Sequence, residues 1–181
     1  RNTIRYAYIL PYLFGNSEDK KYPFATSIRL SSAGYFPEQQ QNLYINFNSK
    51  DAYLKSIYSQ KELCAPAEYY LFIRPKFKDG NIQYIELRSF DINPKTEAGV
   101  TVEMMDFAKS FLLRMKELPS PPLDKEELLK SLSHHNKICL EGKKEIYRKE
   151  IEKALKDLGL KKPLNTKKET TDMALLEGEV G

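Results

Sequence analysis

Residues 84–94, Y-I-E-L-R-S-F-D-I-N-P, constrain this chain more than any other stretch. Side chains alternate along a β-strand, so Tyr84, Glu86 and Arg88 share one face while Ile85 and Leu87 share the other. The apolar face reads as core. On the polar face a carboxylate and a guanidinium stand roughly 6.5 Å apart along the strand. At the backbone that is too far for a tight ion pair, and it suits a grip on a polyatomic ligand. A carboxylate is a hard oxygen ligand for magnesium, and a guanidinium is a fork for carboxylate or phosphate. The plainer alternative is an exposed strand face carrying a weak cross-strand ion pair. Asp91-Ile92-Asn93-Pro94 ends the strand abruptly, because Pro94 has no N–H for a ladder and pushes Asn93 out of the helical region.

A second strand precedes it. Residues 69–76, Y-Y-L-F-I-R-P-K, place Tyr70, Phe72, Arg74 and Lys76 on one side, and Lys78-Asp79-Gly80 turns the chain into a hairpin. A two-residue Asp79-Gly80 turn would pair Arg74 with Ile85 and split the polar groups across both faces. A three-residue loop with a bulge at Gly80 pairs Arg74 with Tyr84 and gathers Tyr70, Arg74, Tyr84, Glu86 and Arg88. We favour the latter, since one wet and one dry face is the more stable arrangement.

The remaining pattern alternates between classes. Residues 3–15 are nearly continuously apolar; read as a helix, they put Arg5, Tyr8 and Tyr12 on one face, with Pro11 forcing a kink or an extended second half. Arg5 inside such a run needs a partner, either a structural carboxylate or a ligand. Residues 24–31 and 43–47 read as further strands. Asp51 is expected to cap a helix reaching about Gln60. Helical spacing then runs from Val102 to Leu118, from Asp124 to Ser133, and from Lys144 to Leu158 with Gly159 beyond its end. The tail from Lys161 is polar apart from Met173-Ala174-Leu175-Leu176.

Composition excludes several classes. With 181 residues, 41% apolar and 30% charged, the chain is one domain or a large piece of one. A net charge of +4 gives no argument for nucleic acid. No apolar run reaches about 18 residues, so no membrane partner is expected. Two cysteines, Cys64 and Cys139, are too few for a disulfide framework and point to a reducing, cytoplasmic setting. The chain opens in mid-pattern without an initiator Met, which reads as a fragment. No G-x-S-x-G, H-E-x-x-H, P-loop or G-x-G-x-x-G is present. His134-His135 reads as solvated or capping near a helix end, and Cys139 between Ile138 and Leu140 as packing. Tyrosines, arginines and one carboxylate projecting from strands remain as the chemistry.

The blocks I-R-Y-A-Y-I-L-P-Y-L-F-G-N-S, A-T-S-I-R-L-S, Y-L-F-I-R-P-K, Y-I-E-L-R-S-F-D-I-N-P and L-E-G-K-K occur in that order. Together, over about residues 1–144, they resemble the carboxy-terminal half of bacterial glutamate–cysteine ligase. The resemblance implies an α+β fold, a curved antiparallel sheet like the half-funnel of glutamine synthetase flanked by helices. It assigns residues 1–144 to the carboxy-terminal part of a catalytic domain and leaves 145–181 as a helix plus loose tail of unplaced role. It implies ATP-dependent joining of the glutamate γ-carboxylate to cysteine through γ-glutamyl phosphate, the first step of glutathione synthesis, with ATP and Mg2+ as cofactors. By position in those blocks, Glu86 is a metal ligand and Arg88 binds the transferring phosphate or the glutamyl group. Tyr12 and Tyr70 line the cysteine pocket, Arg5 contacts a substrate carboxylate, and Arg74 and Arg29 line the site. The family carries most of its acidic metal ligands upstream of these blocks, and one Glu86 cannot build a multi-magnesium site. The chain alone is therefore expected to be inactive, with the amino-terminal part of the same enzyme as its missing partner. Lys95 stands where the family usually has an aromatic, and the spacers 17–24 and 58–69 are short for it. The alternative is a non-catalytic binding module that keeps part of the ligase sheet.

Overall fold

The computed structural model describes residues 1–61, 63, 68–94 and 96–163. In chain order the elements are α1 (Asn2–Tyr6), α2 (Ile9–Phe14), α3 (Glu38–Gln41), α4 (Lys50–Tyr58), β1 (Ile73–Lys78), β2 (Asn81–Leu87), α5 (Val102–Glu117), α6 (Lys125–Glu141) and α7 (Glu145–Leu158). The class is α+β, and the sheet among the described residues is the two-stranded antiparallel pair β1–β2. None of the described helices is long and apolar enough to cross a membrane. Cys64, Lys95 and residues 173–176 lie outside the described residues.

The apolar amino-terminal run becomes two short helices rather than one. Pro11 has no N–H to give the Ala7 carbonyl, and Leu10 N donates there instead at 3.1 Å. The break at Ala7–Tyr8 lets the run serve two cores. Ile4 and Ala7 join a cluster with Tyr53, Ile57, Tyr69, Leu71, Leu128 and Leu132, while Ile9, Leu10, Leu13 and Phe14 join one with Phe107, Phe111, Ile151 and Leu155. Helix α7, unplaced by the sequence reading, is thus one wall of the second cluster.

Helix α6 runs past the expected end at Ser133 to Glu141. Leu128, Leu132, His135 and Cys139 continue one buried stripe at helical spacing, so packing rather than a capping signal sets its length. His135 is accordingly a mid-helix core residue, stacked on Phe72 with ring centroids 4.3 Å apart, and not a solvated cap. His134 is half-buried, packs edge-on against the Tyr8 ring and meets Glu150 of α7 at 2.7 Å. The cap of α4 is Ser49, whose hydroxyl accepts from Ala52 N at 3.1 Å, and Asp51 sits within the first turn.

Two expected strands are not strands. In residues 24–31 the backbone hydrogen bonds go to a helix end: Thr26 N and Ser27 N both donate to the Cys139 carbonyl, at 2.8 and 3.1 Å. The segment thereby satisfies carbonyls of the last turn of α6 that the helix itself leaves open. Gly15 permits this approach, since a Cβ there would overlap the Thr26 and Pro11 carbonyl oxygens. Residues 43–47 keep their alternation, with Leu43 and Ile45 buried, but their polar groups pair with α4. Asn46 N donates to Ser56 Oγ at 2.8 Å, and Gln60 donates to the Tyr44 carbonyl.

The hairpin turn is the two-residue Asp79-Gly80, both with positive φ (50° and 75°), as a tight hairpin turn requires. A bulge then corrects the register. Phe77 faces Ile82 but Lys76 faces Tyr84, leaving Gln83 without an opposite, so that Arg74 pairs with Glu86. The polar groups share one face as expected, by a different device and with Arg74 opposite Glu86 instead of Tyr84. The opposite face is not core along its length. Ile85 is 54% exposed, because a two-stranded sheet offers nothing to cover its tip, and only Leu87 reaches the second cluster.

Burial holds His135 neutral, its pKa lowered to about 3 by desolvation and then by the neighbouring His134. In the unfolded chain it would titrate near 6.5, so the unfolded state binds the extra proton between these values and stability falls as pH drops through that window. One such proton contributes a slope of up to about 1.4 kcal/mol per pH unit. NMR titration should find the His135 ring unprotonated in the folded protein at pH 5; protonation near 6.5 would contradict its burial.

Candidate functional site

The strand pair positions its charges through the bulge and through what lies beneath the strand ends. Glu86 Oε2 stands 3.1 Å from Lys76 Nζ and 3.0 Å from Arg88 Nη2. Both cations thus stand at charge-assisted contact distance from that one oxygen. The spacing that the sequence suggested would keep Glu86 and Arg88 apart for a ligand is closed by the length of the arginine side chain. Partial burial alone would raise the Glu86 pKa, but Arg88 and Lys76 outweigh it and hold the carboxyl below its usual range.

Arg88 links this strand to its neighbours. Its guanidinium lies over the Tyr70 ring, 5.2 Å from the centroid, and its backbone N donates to the Phe72 carbonyl at 2.8 Å. The Tyr70 hydroxyl accepts from Arg29 Nη1 at 2.7 Å. Arg29 Nε in turn donates to Asp91 Oδ1 at 3.1 Å, and its Nη2 donates to the carbonyls of Arg88 and Phe90. The structure therefore brings together Arg29, Tyr70, Arg74, Glu86 and Arg88 of the residues singled out from sequence.

Arg5 and Tyr12 are placed elsewhere. Arg5 is held by Glu127 at the start of α6, with Nε–Oε1 2.5 Å and Nη2–Oε2 2.9 Å, and also donates to the carbonyls of Pro121 and Pro122. Of its two expected kinds of partner, the structural carboxylate is the one present. The pairing raises the guanidinium pKa, the bond to Glu127 outweighing desolvation. Tyr12 is half-buried on α2, where burial and then the carboxylate of Glu152 on α7 raise its hydroxyl pKa.

Three further residues take part: Asp91, which the sequence marks only as the end of a strand, Lys76, which it places only on the strand's polar side, and Tyr35, for which it gives no signal. Tyr35 is 62% exposed with its ring 5.5 Å from that of Tyr70. The available signal for Asp91 was a carboxylate placed directly after a basic strand face, in a loop that must turn sharply at Pro94.

Magnesium does not fit this set by itself. Among the described residues no group of three His, Cys, Asp or Glu is placed to hold a metal ion. The inward oxygen of Glu86 already faces two cations.

The chain is thus an α+β protein whose hairpin gathers arginines and a lysine around one carboxylate. A profile for glutamate–cysteine ligase matches residues 16–74 and 59–138, more than half of the chain, and the chain belongs to that family. The glutamate–cysteine ligase of Edwardsiella ictaluri is 30% identical over 203 residues, covering 80% of this chain and 39% of the relative. That of Yersinia enterocolitica is 30% identical over 204 residues with the same coverage. The chain thus spans well under half the length of these curated relatives. A crystal structure of the Francisella tularensis glutamate–cysteine ligase, in complex with AMP, superposes with a TM-score of 0.72 at 18% identity. The match covers 87% of this chain and 46% of that one, and shows the shared fold.

Replacing Lys76 by Met removes one of the two cations on Glu86 and should move its pKa up toward the ordinary 4.5, read by carboxyl 13C NMR. Because the folded value lies below 4.5, the ion pairs stabilise the hairpin at neutral pH and fade as pH falls through the folded value. An unchanged Glu86 titration in Lys76→Met would show that Lys76 does not act on it.

Proposed function

We propose that this chain forms the phosphoryl-facing part of an ATP-dependent glutamate–cysteine ligase. ATP phosphorylates the γ-carboxylate of glutamate, the cysteine amine attacks the acyl phosphate, and phosphate leaves with formation of the γ-glutamyl amide. The observation that carries this reading is the hairpin face itself: Arg74, Lys76 and Arg88 around Glu86, with Arg29 beneath. Phosphoryl and acyl transfer ask a protein chiefly for positioning and for fixed positive charge where negative charge develops. Arg88 would serve that role, with its guanidinium lying over the Tyr70 ring. Arg74 and Lys76 add to the same field.

Tyr70, with Tyr35 beside it, supplies a phenolic wall suited to a small amino-acid substrate. The family likeness gives Tyr12 to the cysteine pocket and Arg5 to a substrate carboxylate. Arg5 would have to exchange Glu127 for that carboxylate. Magnesium, expected for the family, would need carboxylates beyond the groups that the described residues bring together, and Glu86 would reach it only by yielding Lys76 or Arg88.

Those carboxylates would come from the share of the ligase fold that the chain does not span. A groove of about 450 Å³ lined by Leu87, Phe90, Met104, Met105 and Leu113, beside the open hairpin, is where that part would pack. Exposure of Met105 and Leu113 over half their surface favours such a cover.

In the complete ligase, Glu86→Gln removes a charge with almost no change of volume. Turnover should drop by roughly a hundredfold or more, with folding kept, as for loss of one transition-state electrostatic contact. Turnover within a small factor of the unchanged enzyme would refute the role of Glu86. Calorimetric titration of the complete protein with Mg-ATP separates a ligase, which binds, from a bare binding module, which does not.

A further inference from the structure

Arg29 is spent on the protein. A guanidinium has five N–H donors in a fixed fork. Those of Arg29 reach Asp91 Oδ1 at 3.1 Å, the Tyr70 hydroxyl at 2.7 Å, the Arg88 carbonyl at 3.3 Å and the Phe90 carbonyl. Few donors are left for a ligand. What they grip is the backbone oxygen of Arg88 and the phenol under the Arg88 guanidinium. Between the two gripped carbonyls lies Ser89, fully buried, with its hydroxyl on the Phe72 carbonyl at 3.3 Å.

Arg29 is in turn oriented by Asp91. Oδ1 also accepts from Ser27 Oγ at 2.9 Å, and Oδ2 accepts from Asn16 N at 3.0 Å. The carboxylate is therefore held by Asn16 and Ser27 as well as by Arg29. We infer that Arg29 and Asp91 are a positioning pair, which sets the height and direction of Arg88 over Tyr70 and does not itself contact substrate. This rests on the reading of Arg88 as the group that meets the transferring phosphoryl.

Lysine separates charge from geometry here. It can keep a contact with Asp91, but as a point charge it cannot also span the Tyr70 hydroxyl and two carbonyls. The first readout needs no ligand. In the unchanged chain, the Arg88 side-chain protons should show an upfield NMR shift from the Tyr70 ring, lost in Tyr70→Leu. Arg29→Lys should lose at least half of that shift while the backbone spectrum stays folded. Tyr70→Phe, which removes only the hydroxyl and keeps the ring, should lower the shift in the same direction. Should Arg29→Lys fail to fold, Tyr70→Phe decides alone. A full ring shift retained in a folded Arg29→Lys or in Tyr70→Phe overturns the inference.

The second readout is kinetic, in the complete ligase. Positioning predicts that Arg29→Lys lowers kcat with KM for glutamate, cysteine and ATP within a factor of about two. A raised KM at unchanged kcat would make Arg29 a substrate contact and overturn the inference. Absence of turnover in the unchanged complete enzyme counts against the ligase reading, and the ring shifts still decide the pair.

Discussion

The carboxylate of Asp91 is the junction on which the site depends. It accepts from Asn16 after α2, from Ser27 and Arg29 in the turn-rich segment, and it belongs to the loop that leaves β2. Three segments distant in sequence meet on two oxygens. The pair with Arg29 is mostly shielded, the Asp91 side chain being 11% exposed and that of Arg29 33%. Pairs of this kind add little net stability over an apolar replacement, but losing one partner leaves a desolvated charge behind. That asymmetry makes the junction a device for specifying geometry. It decides where the chain turns after β2, and so where Arg88 stands.

Charge is distributed with the same economy. Four cations, Arg29, Arg74, Lys76 and Arg88, stand around two carboxylates, Glu86 and Asp91. Each carboxylate is engaged by cations within the chain. The bulge at Gln83 is part of the arrangement, because a two-residue turn without it would send Arg74 and Glu86 to opposite faces.

Much of this was legible in residues 69–94, where strand alternation, a turn signal and a charge pair coincide. The shared face of Glu86 and Arg88 follows from period-two geometry alone, whereas Arg74 joins it only through the register. The register did not, because a bulge at an ordinary polar residue leaves no mark in composition. Residues 24–31 and 43–47 alternate like strands but find their hydrogen-bond partners on α6 and α4, a tertiary choice that local pattern does not carry. The length of α6 is not legible because His135, read as solvated or capping near a helix end, continues the packing stripe to Cys139. Arg5 illustrates the reverse. Its need for a partner was plain from burial, while the identity of Glu127, far along the chain, was not.

The central claim is that the hairpin face held in place by Arg29 and Asp91 is the surface that meets phosphate. Chemical-shift mapping of the complete ligase titrated with a non-hydrolysable ATP analogue and magnesium tests it most directly. The account predicts that perturbations concentrate on Arg74, Lys76, Glu86, Arg88 and the Tyr70 ring. Perturbations confined to α5 or α7, with the hairpin resonances unmoved, would contradict it.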